Sequence, residues 1–268
     1  MDIGLVLGGG GARCFAHLGV IRALEERGYA PKALAACSTA SIIGALYAAG
    51  HAPSAILDLA KEVDFASFIH FDPQGSGLID SERIMNLLQE HAPATFEELR
   101  IPLAVVATDV QTGEGLTFRS GELAPAACSS NALPGVFAPV RHVGRSLMDG
   151  GVLNIVPVDV MREMTDARVV AVDVSLSPKR RISLESESLW QKLTPPYSGL
   201  PPALDVLMKA YAIREDKIRR SHYETYPPDV NIRPDLPDDF TDKDFGRLGE
   251  AAEVGYTSAL KVLDTSNG

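Results

Sequence analysis

Residues 36–40 form a small-residue segment, Ala-Cys-Ser-Thr-Ala, between an apolar stretch and a helix-like run over 41–49. A serine on a tight turn from strand to helix is typical of a nucleophile elbow, in which the hydroxyl is exposed and backbone N–H groups lie beside it. Such a turn needs small residues two positions before and after the serine, and Ala36 and Ala40 meet that need. Ser38 is therefore a candidate nucleophile. The alternative is a serine that only caps a buried helix.

A glycine-rich turn at 8–11 follows a short apolar stretch at 3–7 and precedes another predicted helix. Backbone can approach a ligand closely at glycine, and a helix N-terminus supplies free N–H groups and partial positive charge. The pattern therefore predicts an anion site. Three kinds of site fit it: a dinucleotide pyrophosphate cradle, a nucleoside triphosphate loop, and an oxyanion hole for an attacked carbonyl.

The residues around this turn disfavour both nucleotide sites. A triphosphate loop would end in Gly-Lys-Ser/Thr, whereas Ala12, Arg13 and Cys14 stand there. The dinucleotide fingerprint fits Gly9 and Gly11 but meets Cys14 at its third glycine. No acidic residue ends a second strand about 20 residues later, as that fingerprint requires. A nucleotide-binding domain stays open as the weakest of the alternatives.

A third segment, Asp149-Gly150-Gly151, follows a strand-like stretch at 146–148 and places an aspartate at the tip of a glycine turn. An aspartate before glycine is common in ordinary turns, so this segment alone favours a structural role. In the company of Ser38 it becomes a candidate general base.

In this order and spacing, the three segments make the chain resemble the bacterial patatin-like phospholipase family. The resemblance extends from residue 3 to about residue 173, and a weaker likeness continues at 249–263. It implies an α/β fold, a three-layer α/β/α sandwich with a mostly parallel central sheet. It also implies an acyl hydrolase of the phospholipase A or esterase type that acts on a lipid or another acyl ester and uses neither a cofactor nor a metal.

The resemblance further implies a role for each matched residue. Asp149 would be the general base for Ser38, which would attack the acyl ester and form an acyl-enzyme that water hydrolyses. The oxyanion hole would be formed by four residues of the loop and the helix start: Gly9, Gly10, Gly11 and Arg13. We expect its main donors to be the backbone N–H groups of Gly10 and Gly11.

Three departures from the family pattern bear on activity. Ala36 and Ala40 stand where the elbow usually has glycines, and Cys14 replaces a glycine in the first helical turn. Each adds a Cβ that would strain the backbone if the position required a positive φ. A catalytically impaired acyl-binding or regulatory protein of the same fold is therefore the main alternative. The presence of both Ser38 and Asp149 argues against it.

The histidines and cysteines favour a dyad over a triad. In α/β-hydrolases a histidine follows the acid, and the one histidine beyond Asp149 is His222, which we interpret as a solvated residue of a charged helix. His17 is interpreted as a packed or capping residue, and the remaining histidines show no metal-ligand spacing. The three cysteines show no C-x-x-C spacing, so we expect small buried residues in a reducing cytoplasm.

Composition fits a single α/β domain over 1–268 that does not bind nucleic acid. A hydrophobic content of 46% supports a sizeable core, and a formal charge of −10 disfavours a nucleic-acid partner. Met1-Asp2 leads directly into the first predicted strand, so we expect no export signal and a cytoplasmic protein. The stretch 33–57 is long enough to span a membrane, but its serines, glycines and Pro53 favour a buried elbow.

The elements that must position these residues alternate between strands and helices. Apolar stretches predict parallel strands at 3–7, 102–108 and 167–173, and helical patterns occur at 81–90, 158–164 and 203–222. Loops at the carboxyl ends of the strands would form the site. The segment 175–202 breaks this alternation and predicts a loop or mobile cap. Its Trp190, with nearby basic residues, is a candidate for transient contact with a membrane surface, and a plain surface loop is the alternative.

Overall fold

The computed structural model describes residues 1–63, 81–175 and 202–265, which form one β-sheet with helices packed on it. The strands are β1 Asp2–Leu7, β2 Ala30–Ala36, β3 Leu103–Asp109, β4 Gly115–Phe118, β5 Val140–His142, β6 Arg145–Asp149, β7 Arg168–Val172 and β8 Val230–Ile232. The helices are α1 Ala16–Glu26, α2 Thr39–Ala49, α3 Pro53–Glu62, α4 Glu82–His91, α5 Leu123–Ser130, α6 Val158–Met164, α7 Pro202–Thr225 and α8 Leu248–Thr265. Short 3-10 turns at Gly11–Phe15 and Gly150–Val152 adjoin the candidate site.

The sheet has the order β5-β6-β3-β2-β1-β7-β8, and β4 pairs with β3 outside this path. The pairs from β3 to β8 along this order are parallel, whereas β4, β5 and β6 add antiparallel pairs. Buried side chains alternate between the two faces, as the pleat requires. Leu5 and Leu7 join the apolar cluster of α1, α2, α5 and α8, while Val6 joins the cluster of α6. The expected three-layer α/β/α sandwich with a mostly parallel sheet is confirmed.

Strand register explains how Ser38 and Asp149 meet. Val105 of β3 pairs on one side with Ala36, the last residue of β2, and on the other side with β4. Two residues further along, Ala107 of β3 pairs with β4 and with Asp149, the last residue of β6. Because a strand has only two edges, β6 continues the edge of β3 that β2 leaves after Ala36. The turn after β2 and the end of β6 therefore lie together.

The helix after the glycine turn, α1, is fixed against α8 by a close backbone contact. A Cβ on Gly19 would lie 1.7 Å from the carbonyl oxygen of Ala252, and a Cβ on Gly255 would lie 1.9 Å from that of Ala16. Glycine allows this approach because it has no side chain. The contact holds the start of α1, and with it the turn at Gly11–Phe15, against the C-terminal helix.

Most predicted elements are confirmed. The strands expected at 3–7, 102–108 and 167–173 are β1, β3 and β7, and the helices expected at 81–90, 158–164 and 203–222 are α4, α6 and α7. The uncharged stretch at 33–57 forms the end of β2, α2 and the first half of α3. Within the described ranges, none of the helices combines the length and the apolar character needed to span a membrane. The expected cap at 175–202, with Trp190, lies outside the described residues except at its two ends.

Candidate active site

Ser38 occupies the turn between β2 and α2 in a strained backbone conformation. Its φ is 58° and its ψ is −140°. A non-glycine residue held in such a region costs on the order of 1–3 kcal/mol and persists where the surroundings enforce it. Here the Ser38 N–H donates to Ser130 Oγ at 2.9 Å, and the Ser38 carbonyl accepts from the Ser41 hydroxyl at 2.7 Å. The turn therefore has the geometry of a nucleophile elbow, held in place by α5 and α2.

The side chains of Ser38 and Asp149 are in direct contact. The Ser38 hydroxyl donates to Asp149 Oδ2 at 2.6 Å, in the range of charge-assisted hydrogen bonds. The other carboxyl oxygen, Oδ1, accepts from the Gly151 N–H at 2.7 Å and from the Cys37 thiol at 3.8 Å. Asp149 is 1% exposed and Ser38 is 8% exposed, so the pair lies in a nearly dry environment.

Two further hydrogen bonds fix the backbone of Asp149. Its N–H donates to the carbonyl of Ala132 at 2.9 Å, and its carbonyl accepts from the Thr108 hydroxyl at 3.1 Å. Sequence analysis assigned no role to Thr108 or Ser130. A buried hydroxyl gives no local signal in a sequence, because its partner is set by the register of distant strands.

Burial raises the pKa of Asp149 from an ordinary value of 3.8 to about 6. The hydrogen bonds from Ser38, Gly151 and Cys37 favour the carboxylate and oppose part of this rise. The group is therefore ionised at neutral pH, yet it is a stronger base than an exposed aspartate.

The glycine turn lies against the elbow. A Cβ on Gly9 would lie 2.9 Å from Ser38 Cβ, and Gly11 has a φ of +57°, which favours glycine. The Gly9 N–H is already used, since it donates to the carbonyl of Ile155 at 2.9 Å. Within the part of the chain that the structure describes, the N–H groups of Gly10 and Gly11 donate no hydrogen bond. These two groups are the donors that the turn leaves available.

Arg13, in the first turn after the glycines, fixes the same segment through two hydrogen bonds. Its Nε donates to the carbonyl of Val174 at 2.8 Å, and its Nη1 donates to the carbonyl of Phe240 at 2.9 Å. The side chain is buried. Arg13 therefore ties the glycine turn to the segment after β7 and to the segment before α8.

The three residues that depart from the family pattern fit without backbone strain. Among the described non-glycine residues, Ser38 and Val143 alone have a positive φ, so Ala36, Ala40 and Cys14 do not. All three are fully buried. Their added Cβ atoms fill core space at ordinary backbone angles.

Residues 5–162 match the family of patatin-like phospholipases, a match that covers more than half of the chain. The chain belongs to the patatin-like phospholipase family. Patatin-like phospholipase domain-containing protein 6 of Mus musculus is 30% identical over 285 residues, which cover 97% of this chain and 20% of that protein. An NTE family protein of Mycobacterium tuberculosis is 35% identical over 177 residues, which cover 65% of this chain and 49% of that protein. This patatin-like chain thus spans half or less of the length of these relatives.

Two solved structures share the fold of this patatin-like chain. VipD from Legionella pneumophila aligns with a TM-score of 0.60 and 16% identity, covering 98% of this chain and 66% of VipD. The type III effector protein ExoU aligns with a TM-score of 0.50 and 12% identity, covering 98% of this chain and 52% of ExoU. At these identities the likeness concerns the fold, and it agrees with the sandwich described above.

The described histidines of this patatin-like chain make no hydrogen bond to Ser38 or Asp149. His17 is fully buried and its Nε2 donates to the carbonyl of Gly8 at 2.7 Å, while burial lowers its pKa to about 4. The expected packed or capping role of His17 is confirmed. The interpretation of His222 as a solvated residue is wrong, since it is half-buried and its Nδ1 is shielded without a partner among the described residues. His70 lies outside the described residues.

The expectation of free, buried cysteines is confirmed for Cys14, Cys37 and Cys128. Burial raises the pKa of each thiol, to about 12 for Cys128. Within the three described ranges, the side chains form no cluster that could hold a metal ion.

Helix α7 also reaches this site. It packs against the turn at Gly150–Val152, and Glu215 Oε1 lies 3.1 Å from the position that a Cβ on Gly151 would occupy. Sequence analysis predicted the helix but assigned none of its polar residues to the site. The pattern of a helix does not show which of its residues will meet a distant turn.

Proposed function

We propose that the protein is a serine acyl hydrolase in which Ser38 is the nucleophile and Asp149 is the general base. The proposal rests on one observation above all, the 2.6 Å hydrogen bond from Ser38 Oγ to Asp149 Oδ2 at a residue whose φ is 58°. A serine that only caps a helix accepts a hydrogen bond from the backbone of that helix, and the Ser38 side chain makes no such bond. Membership of the patatin-like phospholipase family supports the reaction class.

In the acylation step, Ser38 Oγ attacks the carbonyl carbon of the ester while its proton passes to Asp149 Oδ2. The tetrahedral intermediate then expels the alcohol, which takes the proton back from Asp149. Asp149 next accepts a proton from the water that attacks the acyl-enzyme, and it returns this proton to Ser38 Oγ as the acid leaves. A base whose pKa is about 6 is ionised at neutral pH and accepts a proton more readily than an ordinary carboxylate.

The negative charge on the attacked carbonyl oxygen would be stabilised by the N–H groups of Gly10 and Gly11. Donors of this kind contribute about 3–4 kcal/mol each in comparable sites. Gly9 would allow the close approach of the loop to Ser38. Arg13 would hold the loop in place through its bonds to backbone carbonyls.

The proposed substrate is a lipid or another acyl ester, as in a phospholipase A or an esterase, and the proposed chemistry needs no cofactor or metal. A substrate that resides in a bilayer would require transient contact of the protein with the membrane surface. The three buried free cysteines support a reducing compartment, for which we propose the cytoplasm.

The test is hydrolysis of p-nitrophenyl butyrate by the purified protein and three variants. Ser38→Ala should lower kcat by at least about 1,000-fold, and Asp149→Asn by about 100- to 10,000-fold. Ser129→Ala is the matched control, because Ser129 is a buried serine whose hydroxyl bonds to its own helix, at the carbonyl of Pro125. It should retain wild-type turnover.

Wild-type turnover in Ser38→Ala would contradict the proposed nucleophile. A wild-type protein that binds butyrate or a longer fatty acid without turning over any ester would favour the acyl-binding or regulatory alternative.

A further inference from the structure

The hydroxyl of Tyr211 on α7 is a buried polar group that the proposed dyad does not use. Its Oη is shielded from solvent and has no hydrogen-bond partner among the described residues. Leaving such a group unpaired costs about 1–3 kcal/mol. A buried donor without a partner among the described residues is available to a partner that arrives with a ligand.

The fold places this hydroxyl on the Asp149 side of the site. Helix α7 packs against the turn at Gly150–Val152. Glu215, one turn after Tyr211 on the same face of α7, has its Oε1 3.1 Å from the position of a Cβ on Gly151. The N–H of Gly151 in turn donates to Asp149 Oδ1. Helix α7 therefore lies against the turn whose N–H group holds the Asp149 carboxylate.

Burial, together with the charges around Tyr211, keeps its phenol protonated. Burial raises the pKa of Tyr211 most, and the neighbouring groups of Asp149, Glu215 and Cys37 raise it further, while Arg214 opposes them. Burial and the Asp149 carboxylate also raise the pKa of Glu215 well above its ordinary value. Tyr211 is thus an O–H donor that keeps its proton while Asp149 gains and loses one.

The two oxygens of a tetrahedral intermediate have different neighbours. In the proposed function, the oxyanion accepts hydrogen bonds from the backbone N–H groups of Gly10 and Gly11. The ester oxygen of the departing alcohol must lie near Asp149, because it takes the proton that Asp149 received from Ser38. A donor on the Asp149 side is therefore placed for the departing oxygen.

We propose that Tyr211 is a further catalytic residue whose phenol donates a hydrogen bond to the departing ester oxygen as the bond from the acyl carbon breaks. This inference rests on the proposed acyl hydrolase function. The proton that ends on the alcohol is the one that Asp149 took from Ser38, and Tyr211 keeps its own. The hydrogen bond stabilises negative charge on the departing oxygen, so its effect depends on how much charge that oxygen carries.

The test compares two esters with the same acyl chain, p-nitrophenyl butyrate and ethyl butyrate, in the wild type, Tyr211→Phe and Tyr223→Phe. The p-nitrophenolate ion leaves readily without help, whereas ethoxide needs stabilisation. Tyr211→Phe should lower kcat/KM for ethyl butyrate by about 10- to 100-fold and that for p-nitrophenyl butyrate by less than about 3-fold. Tyr223, a tyrosine of the same helix whose charged neighbours are Asp173, Arg219 and Arg233, serves as control and should leave both values unchanged.

Thermal unfolding of both variants checks the fold, and Tyr211→Phe should keep or raise the wild-type Tm because the lost hydroxyl is buried without a partner among the described residues. Equal losses on the two esters, or wild-type kinetics on ethyl butyrate, would overturn the role of Tyr211 while leaving Ser38 and Asp149 in place. A wild-type protein that hydrolyses neither ester would overturn the proposed function, and this inference with it.

Discussion

Replacing Asp149 by asparagine should lower kcat by about 100- to 10,000-fold and yet stabilise the folded protein at neutral and alkaline pH. The carboxyl group is fully buried, and its pKa is about 6 against an ordinary value of 3.8. A difference of about 2 pH units corresponds to about 3 kcal/mol, since each unit is worth 1.36 kcal/mol. Asparagine has nearly the same shape, and its Oδ1 can still accept from Gly151. Above pH 7 the free energy of unfolding should therefore rise by at most about 3 kcal/mol. Because the asparagine side chain bonds more weakly to Ser38, we expect a rise of about 1–2 kcal/mol.

The pH dependence has a definite sign. The pKa of Asp149 is higher in the folded state than in the unfolded state, so the folded state binds the proton more tightly. The contribution of this group to stability is fully present below about pH 4 and is lost as the pH rises through about 6. The asparagine variant has no such loss. The stability difference between variant and wild type should therefore grow from about pH 4 to about pH 7 and then stay constant.

Urea unfolding at pH 4.5, 5.5, 6.5 and 8, followed by far-UV circular dichroism, measures this difference. Asp109→Asn is a matched control with the opposite sign. The hydrogen bond from the Gln111 N–H lowers the pKa of Asp109 most, and the hydrogen bond from Arg145 lowers it further. Replacing Asp109 should therefore destabilise the protein at pH 8. An Asp149→Asn variant that is less stable than wild type at pH 8, or a difference that does not change with pH, would refute the reasoning.

Three other outcomes are expected. For the wild type, kcat/KM on p-nitrophenyl butyrate should fall about tenfold per pH unit below pH 6, because protonated Asp149 cannot accept the serine proton. Gly19→Ala should lower the free energy of unfolding by at least about 2 kcal/mol in urea titrations, because its Cβ would lie 1.7 Å from a carbonyl oxygen of α8. Asp173→Asn should cost about 3 kcal/mol in the same assay, because the fully buried carboxylate bonds to Arg219 and Arg233, each at 3.0 Å.

Matched variants separate these causes from general sensitivity to substitution. Gly249→Ala, at a helical glycine with open space around it, should be neutral or stabilising by up to about 1 kcal/mol. Glu250→Gln breaks an exposed pair with Arg247 and should cost less than about 1 kcal/mol. A flat pH–rate profile between pH 5 and 7, or Gly19→Ala and Asp173→Asn proteins as stable as their controls, would contradict the corresponding arguments.

The sequence was informative wherever a local pattern determines the chemistry. The elbow around Ser38, the glycine turn and the aspartate at 149 each had another explanation alone, and their common order and spacing made the interpretation possible. Apolar stretches likewise predicted β1, β3 and β7, since strands buried on both faces are continuous in apolar residues.

Other parts of the site depend on contacts that no local pattern encodes. The meeting of Ser38 and Asp149 follows from β6 taking over the edge of β3 that β2 leaves. The hydroxyl of Ser130 acquires its role from the backbone of Ser38, in another element. Tyr211 has the pattern of an apolar helix residue, and the burial of its hydroxyl depends on where α7 packs.

The glycine turn shows both what the sequence predicts and what depends on the folded structure. Its four glycines predicted an anion site, but the sequence could not tell which N–H groups are already occupied. The hydrogen bonds of the folded chain answer that question, because the Gly9 N–H donates to the carbonyl of Ile155 while those of Gly10 and Gly11 donate to no described group. The strain expected at Ala36, Ala40 and Cys14 is absent for a similar reason, since backbone angles at a turn depend on how the whole segment is held.

The most direct test of the central claim is labelling with a fluorophosphonate, read by intact mass and by mapping of the modified peptide. An activated serine should give one adduct, located on Ser38, absent in Ser38→Ala and formed much more slowly in Asp149→Asn. An adduct on another residue, or labelling that persists in Ser38→Ala, would contradict the account of Ser38 as a nucleophile activated by Asp149.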